Sequence, residues 1–356
     1  MKVFIRSDAS VQMGAGHVMR CLALAEGFRE QGLRPIFLTR TEEPLYLAAI
    51  RQRGFSWVRI PKSVEIRDEP RAMVELECDE TVAGLVVDYY DLPRDYFAQI
   101  RSLRPKWALV YIDDWCKFFE GVNLIVNQNI YAKESDWSCR DTRRSFTVLA
   151  GPKYALLRSE FRRRAPGSSR RQGEVSKILL TLGGNDLANH TLRILKALDQ
   201  FEIKAEMHIV LGPGFRHSGE IATFASGRPY FRIWSHVSDM RELMGQMDLS
   251  INGSGSTLWE LYYMGLPNII YVLADNQARV AERAHELGCS VSLGPIEKFD
   301  PEALHRELKK MINSPQARES MSKKVRQVVD GLGVDRVTRT FLSLCRKEVT
   351  GASTSV

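Results

Sequence analysis

The sequence predicts an α/β protein built from two parallel-sheet domains, and three observations support this prediction. The chain has 356 residues, more than a single hydrophobic core usually spans. Short apolar runs alternate with amphipathic helical patterns, as in repeated βαβ units. Near the middle, residues 162–173 read RRRAPGSSRRQG, a polar and basic run without apolar periodicity. We therefore expect an N-terminal domain at 1–161, a linker at 162–173, a C-terminal domain at 174–348 and a disordered tail at 349–356.

The first domain begins with a regular alternation of strand and helix patterns. We predict a helix from about Val18 to Gln31, because apolar residues recur there at helical spacing and Gly32 follows as a C-terminal cap. The other segments predicted early in this domain are the strands Val3–Ile5 and Pro35–Leu38 and the helix Leu45–Gln52. Two later strands, Leu85–Val87 and Ala108–Ile112, each end in acidic residues, namely Asp88 and the pair Asp113 and Asp114. Ligands of open α/β sheets bind beyond the carboxyl ends of the strands, so these acidic residues would face the ligand crevice.

The second domain repeats the alternation. Its predicted strands are Ile178–Leu182, His208–Leu211, Phe231–Trp234, Leu249–Ile251, Ile269–Val272 and Val291–Leu293, and a helix passes through Leu192, Leu195 and Leu198. The stretch from Pro301 to about Lys347 is predicted to be helical. Two Rossmann-like domains of this kind, facing each other across a cleft, are typical of the GT-B architecture.

The composition of the chain indicates which kinds of ligand and cellular compartment to expect. The net charge of +7 suits an anionic ligand, but the basic residues form no stripe, so we expect a phosphorylated small molecule and no nucleic acid. The six cysteines show no metal-ligand or disulfide spacing, which indicates a reducing compartment. No apolar run reaches the roughly 18 residues of a membrane span, and no signal peptide pattern is present. We therefore expect a cytoplasmic protein without stable membrane association, and a monomer.

The segment Gly14, Ala15, Gly16, His17 lies between the first strand and the first helix. Glycines allow a tight turn there, and the helix N-terminus attracts anions. A histidine in this turn suits a general base near neutral pH, because its reference pKa is about 6.5. The alternative is that His17 only caps the helix or bonds the loop, and the spacing leaves both open. The segment departs from GxGxxG, which disfavours a dinucleotide cofactor.

A second candidate site is the loop Asn252 to Thr257, which includes Gly255 and Ser256 and precedes a helix. Backbone amides, hydroxyls and the helix dipole of such a loop can hold a diphosphate. Glu260, one helical turn beyond Ser256, could accept both ribose hydroxyls. The alternative is a surface turn with a solvated glutamate.

The remaining candidate residues have local sequence patterns that do not distinguish a functional role from a structural one. Asn276 and Gln277 follow a strong strand and could bond sugar hydroxyls or acetamido groups, or simply begin a helix. Tyr90 could line a pocket or pack in the core. No metal-ligand set is evident, because Asp113 and Asp114 are adjacent on a strand and should point to opposite faces.

These segments together resemble a known family, the UDP-2,4-diacetamido-2,4,6-trideoxy-β-L-altropyranose hydrolases of pseudaminic acid biosynthesis, a pathway associated with flagellin glycosylation. The motifs that carry the resemblance are RSDAS, GAGHVMRCLALA, VDYY, IDD, NQNIYAKESDW, GPKYALLRSEF, LTLGGND, INGSGSTLWE and GLPNIIYVLADNQ, in the family's order over nearly the whole chain. A more distant similarity is to the N-acetylglucosaminyltransferase that completes the peptidoglycan lipid precursor.

The resemblance implies a metal-independent and cofactor-free hydrolysis of a UDP-sugar, with inversion at the anomeric carbon. It implies that His17 is the base that activates water. It also implies two sets of binding residues. The nucleotide-binding set is Gly183, Gly184, Asn185, Trp234, Gly255, Ser256 and Glu260, and the sugar-binding set is Gly16, Tyr90, Arg158, Asn276 and Gln277. Asn185 departs from the serine or threonine that is common there in the family.

Two rival functions stay open at this point. A glycosyltransferase of the same fold would pass the sugar to an acceptor instead of water, although the sequence has no amphipathic stretch suited to a lipid-linked acceptor. A non-catalytic nucleotide-binding or RNA-associated module would explain only the basic charge, and its binding would depend steeply on salt.

Overall fold

The computed structural model describes residues 1–10, 14–76, 81–138, 146–162, 173–201 and 203–350, with the backbone alone for residues 347–350. The chain divides into two compact units. The first unit comprises Met1–Ser159 together with the chain from Leu332 onward, and the second comprises Glu160–Gly331.

The first unit contains seven described strands. They are β1 (Lys2–Ser7), β2 (Arg34–Thr39), β3 (Ser56–Arg59), β4 (Val82–Asp88), β5 (Ala108–Ile112), β6 (Leu124–Asn127) and β7 (Thr147–Ala150). The helices of the N-terminal part are α1 (Gly16–Glu30), α2 (Pro44–Gln52), α3 (Glu69–Glu75), α4 (Tyr96–Leu103), α5 (Ser135–Ser138) and α6 (Ser159–Arg162), the last of which crosses into the second unit.

The seven strands form one parallel sheet in the order β3-β2-β1-β4-β5-β6-β7. Strands β4, β5 and β6 are buried along their whole length, as expected for central strands covered on both faces. Because the chain runs outward in both directions from β1 and β4, the order reverses between these two strands. This reversal is the topological switch point, where α/β sheets bind their ligands.

The second unit contains six described strands: β8 (Lys177–Thr181), β9 (Glu206–Val210), β10 (Phe231–Trp234), β11 (Leu249–Gly253), β12 (Asn268–Val272) and β13 (Val291–Pro295). Its further helices are α7 (His190–Asp199), α8 (Ser218–Ala225), α9 (Met240–Gly245), α10 (Thr257–Tyr263), α11 (Ala278–Glu286), α12 (Pro301–Asn313) and α13 (Pro315–Val328). The sheet is again parallel, in the order β10-β9-β8-β11-β12-β13, so its switch point lies between β8 and β11.

The last helix, α14 (Gly333–Thr350), belongs to the first unit. We predicted that the C-terminal domain would extend to residue 348, and this is wrong for the terminal helix. Its apolar side packs on α1, where the rings of Phe28 and Phe341 meet edge to face at 4.8 Å and both are fully buried. Helical periodicity shows that the helix has an apolar face, but it does not show which unit covers that face.

The predicted α/β architecture is confirmed, with two parallel sheets. All the strands we predicted are present, with ends that differ by a few residues. The sequence analysis missed β3, β6 and β7, which have four residues each and too little alternation to stand out. Parts of the chain lie outside the described residues. They include most of the predicted linker, at 163–172, the end of the predicted tail, at 351–356, and two of the cysteines, Cys78 and Cys139.

Candidate functional site

His17 and Asp88 meet at the switch point of the first sheet. Asp88 is the last residue of β4, and His17 is the second residue of α1, the helix that follows β1. The ring nitrogen Nδ1 of His17 lies 2.6 Å from Oδ1 of Asp88. The histidine is 6% exposed and the aspartate is buried. The two residues are 71 positions apart in the chain, so only the parallel pairing of β1 with β4 brings them together.

The partner of Nδ1 determines the tautomer of the neutral His17 ring. An ionised carboxylate only accepts hydrogen bonds, so Nδ1 carries the proton and donates it to Asp88. The other ring nitrogen, Nε2, then has a free lone pair and no hydrogen-bond partner among the described residues. An imidazole fixed in this way can take a proton from a water or hydroxyl group at Nε2.

Arg20 forms ion pairs with two carboxylates next to His17, those of Asp88 and Asp114. Its Nε and Nη2 donate to both oxygens of Asp88 at 2.7 and 2.6 Å, which is a bidentate pairing. Its Nη1 lies 2.8 Å from Oδ2 of Asp114 and donates to Oδ1 of the same carboxylate at 3.0 Å. All three side chains are buried. Because Arg20 and His17 stand three positions apart on α1, both reach the same carboxylate from one face of the helix.

The opposite charges in this cluster stabilise the ionised form of each side chain. Burial by itself raises the pKa of the Asp88 carboxyl, but Arg20 and His17 outweigh burial and hold that pKa well below its usual value. Burial would lower the pKa of Arg20, yet the carboxylates of Asp114 and Asp88 raise it well above the ordinary value. The cluster therefore holds Asp88 as an anion, which is the form that orients the imidazole.

Tyr90 contacts both His17 and Asp114. Its hydroxyl donates to Oδ2 of Asp114 at 2.6 Å, and its ring meets the His17 ring edge to face at 4.5 Å. Burial and the carboxylate of Asp114 raise the pKa of Tyr90, so its hydroxyl stays protonated. Asn129 donates to the same carboxylate at 2.8 Å, which fixes Asp114 from a second side. Tyr90 is therefore both a packing aromatic and part of the polar cluster around His17.

The adjacent residues Asp113 and Asp114 lie just beyond the end of β5, so the prediction that they alternate on a strand is wrong, but their carboxylates have separate environments. Asp114 faces Arg20, whereas Asp113 accepts a hydrogen bond from the backbone of Trp115 at 2.9 Å. Burial raises the pKa of Asp113 to about 6. Across the described ranges, no group of three His, Cys, Asp or Glu residues is arranged to hold a metal ion. In the same ranges, no helix has the length and apolar character to cross a membrane.

In the second unit, two glycine turns meet near the switch point. Gly183 and Gly184 follow β8, and Gly183 has a φ of +88°, a conformation that favours glycine. Gly212, after β9, lies so close to them that an added Cβ would stand 2.2 Å from the carbonyl oxygen of Gly183. Gly214 donates its N–H to the carbonyl of Gly184 at 2.9 Å. Asn185 lies against Gly214, so its side chain helps to shape the turn.

The glycine-serine loop lies across the same switch point, after β11. Ser254 is buried and donates to the carbonyl of Tyr271 at 3.0 Å. Gln277 supports the loop, because its Oε1 accepts from the Leu273 N–H at 3.1 Å and from the Ser254 hydroxyl at 3.3 Å. Gly255 is half-buried and Ser256 is exposed. The structure therefore places Gln277 against the loop itself, and its predicted contact with the sugar stays a prediction.

The remaining predicted residues lie at the following places. Gly16 is exposed at the start of α1, and Glu260 is buried in the first turn of α10. Trp234 is partly exposed at the end of β10, where its Nε1 donates to Nδ1 of His208 at 3.2 Å. Arg158 and Asn276 are half-buried. Their predicted roles in ligand binding stay predictions.

The structure rules out the helix-capping role of His17 and adds Arg20 to the candidate site. Helix α1 has no side-chain cap at its N-terminus, and His17 bonds to Asp88 across the sheet, so the capping role is wrong. Sequence reasoning missed Arg20 altogether. The signal was its position three residues after His17, on the helix face directed at the strand end that carries Asp88.

The second unit matches a known family model. Residues 178–333 match the glycosyltransferase family 28 C-terminal domain. Among solved structures, the chain is similar to the crystal structure of MurG from Acinetobacter baumannii, with a TM-score of 0.69 and 15% identity over 96% of this chain and 99% of that one. The two parallel-sheet domains therefore have the GT-B fold.

Three curated proteins are also similar to the chain. An uncharacterised protein of Methanocaldococcus jannaschii is 27% identical over 76% of this chain, which spans 55% of that relative's length. The spore coat polysaccharide biosynthesis protein SpsG of Bacillus subtilis is 25% identical over 98% of this chain and 100% of its own. The UDP-2,4-diacetamido-2,4,6-trideoxy-β-L-altropyranose hydrolase of Campylobacter jejuni is 25% identical over 73% of this chain and 87% of its own.

The similarity that the sequence motifs indicated is therefore confirmed. The chain is related to the hydrolase of Campylobacter jejuni and, in its second unit, to family 28 glycosyltransferases. These relationships support a nucleotide-sugar-processing enzyme of the GT-B type. They do not distinguish transfer of the sugar to water from transfer to another acceptor.

Replacing Arg20 by methionine tests the charge cluster. Because Asp88 and Asp114 would be left without their cation, we expect the free energy of unfolding to fall by about 3–5 kcal/mol at neutral pH. The folded-state pKa of Asp88 lies below its unfolded value of about 3.9, so its stabilising contribution is present above about pH 4 and is lost as the pH falls further. The cost of the substitution should therefore shrink in acid.

Urea denaturation of Arg20→Met at several pH values measures this cost. Arg29→Met is the matched control, since Arg29 is exposed on the same helix and, in the described part of the chain, pairs with no carboxylate; it donates to the carbonyl of Arg53 and lies over the Phe55 ring. An Arg20→Met variant as stable as the control at neutral pH would show that the cluster contributes nothing to stability.

Proposed function

We propose that the protein is a hydrolase that releases UDP from a UDP-diacetamido-trideoxyhexose, the substrate class of its Campylobacter jejuni relative. The observation that carries the proposal is the 2.6 Å contact between Nδ1 of His17 and Asp88, which directs the basic nitrogen Nε2 away from the carboxylate. A single oriented base is the group that activation of water requires.

The proposed reaction has one step. A water oxygen attacks the anomeric carbon while His17 Nε2 takes one of the water protons. The bond between the anomeric carbon and the β-phosphate oxygen breaks, and its electron pair leaves with UDP. Attack opposite the leaving group inverts the anomeric configuration. Asp88 stabilises the imidazolium that forms, because its carboxylate already faces Nδ1.

We propose that the second unit supplies the site for UDP. The amides of the glycine-serine loop and the turn after β8 would hold the diphosphate, and Glu260 would accept the ribose hydroxyls. The position of both segments at the switch point of the second sheet supports this assignment. The similarity of residues 178–333 to family 28 glycosyltransferases supports it as well.

Incubation of the protein with the UDP-diacetamido sugar alone, in water enriched in oxygen-18, tests the reaction. We expect free sugar and UDP in equal amounts, with the heavy oxygen on the anomeric carbon, and NMR should show the inverted anomer first. Heavy oxygen on the β-phosphate would instead mean cleavage of the phosphorus–oxygen bond. Release of no sugar until an acceptor is added would mean that the protein is a glycosyltransferase.

Substitution of the base tests its role separately. His17→Asn should lower kcat by about 10²- to 10⁴-fold, the usual contribution of a general base, while calorimetry shows UDP affinity nearly unchanged. Asp88→Asn should also lower kcat, because the neutral amide no longer fixes the tautomer. The double variant should be little worse than His17→Asn, since both residues act as one unit.

Asp91→Asn serves as the control, because Asp91 is exposed three residues beyond Asp88. It should retain full activity. If His17→Asn loses UDP affinity in step with kcat, or keeps kcat, then His17 is not the base.

A further inference from the structure

Trp115 is an exposed aromatic residue that is separated from the proposed base by one ring, that of Tyr90. It follows β5 by three positions, at the carboxyl end of the first sheet, and is 40% exposed. Among the described residues, no other aromatic side chain is as exposed. The carboxyl end of an open α/β sheet is where its ligands bind, so the indole lies at the end of the sheet where a substrate would be held. The sequence analysis assigned Trp115 no role.

The backbone around Trp115 is fixed by buried groups. Its N–H donates to Oδ1 of the buried Asp113 at 2.9 Å. The carbonyl of Lys117 accepts from Nε1 of the buried Trp137 at 2.9 Å. The ammonium of Lys117 donates to the carbonyl of Tyr90, also at 2.9 Å. These bonds fix the backbone from which the exposed indole projects.

The residue after Trp115 has an unusual backbone conformation. Cys116 has a φ of 57°, in the left-handed region that residues other than glycine seldom adopt. Such conformations persist only where surrounding contacts enforce them, and they concentrate at ligand-binding and catalytic sites. The hydrogen bonds of Asp113 and Lys117 on either side are contacts of this kind.

Two ring contacts link Trp115 to the base. The rings of Trp115 and Tyr90 meet edge to face at 6.1 Å, and the rings of Tyr90 and His17 do so at 4.5 Å. The Tyr90 hydroxyl is held by Asp114, so the middle ring of the series is fixed. A substrate whose reacting carbon lies near His17 would thus place its neighbouring atoms close to the indole.

We propose that Trp115 is a substrate-binding residue that packs against the apolar face of the sugar, which makes it a determinant of sugar specificity. This inference rests on the proposed hydrolysis, in which the anomeric carbon lies near His17. A diacetamido-trideoxyhexose carries three methyl groups and fewer hydroxyls than an ordinary hexose, so it presents an unusually apolar surface. Indole offers the largest apolar face among the side chains, and its quadrupole attracts C–H groups.

Kinetics of Trp115 variants on the UDP-diacetamido sugar test this contact. Trp115→Ala should raise KM about 3- to 10-fold with kcat nearly kept, as expected for loss of one aromatic contact. Trp115→Phe should restore most of the affinity. Inhibition by UDP alone should be the same in all three proteins, because UDP lacks the sugar. Leu103→Ala, a change at another exposed apolar residue of the first unit, should leave KM unchanged.

The same variants in the His17→Asn background provide a readout that does not depend on turnover. Calorimetry should show that the intact UDP-sugar loses affinity on Trp115→Ala while UDP does not. If the wild type does not hydrolyse the sugar, the proposed function fails, and this binding difference still reports on Trp115. An unchanged KM in Trp115→Ala alongside normal wild-type hydrolysis would overturn the inference alone. A wild-type dimer in sedimentation that Trp115→Ala dissociates would also overturn it, because the indole would then serve a second copy of the chain.

Discussion

The ionised carboxylate of Asp88 is the group on which the candidate site depends. It lies at the end of a fully buried strand, where an isolated charge would be costly, and it is retained as an anion because Arg20 binds both of its oxygens. This anion fixes the tautomer of His17 and so decides which ring nitrogen can accept a proton. Arg20 in turn is held by Asp114, which also anchors Tyr90 and Asn129. His17, the Asp88 carboxylate and the neighbouring aromatic rings therefore form one connected network within the first unit.

Both sheets place their candidate residues according to the same topological rule. In the first unit the order reverses between β1 and β4, and these strands supply His17, through α1, and Asp88. In the second unit the order reverses between β8 and β11, and these strands lead into the glycine turn and the glycine-serine loop. Parallel strands that separate at this point leave an opening at their carboxyl ends. The two units thus place different candidate groups at the same topological position, an imidazole in one and the backbone amides of two glycine-containing turns in the other.

Much of this arrangement could be predicted from the sequence. Alternating apolar runs indicated the strands, and the position of glycines after strands indicated the turns that follow them. The pairing of His17 with Asp88 could not be predicted, because it depends on which strands are neighbours. The role of Arg20 could not be predicted for the same reason, since its two partners lie at the end of β4 and in the loop after β5. The unit to which α14 belongs was predicted wrongly, because an amphipathic face does not specify the surface that covers it. The cleft between the domains stays a prediction.

The tautomer of His17 is the most direct test of the account. Nitrogen-15 NMR of the imidazole side chains distinguishes the protonated ring nitrogen from the unprotonated one. The account predicts that His17 carries its proton on Nδ1, with Nε2 unprotonated, and that Asp88→Asn abolishes this preference. A proton found on Nε2 in the wild type would contradict the assignment of His17 as the base.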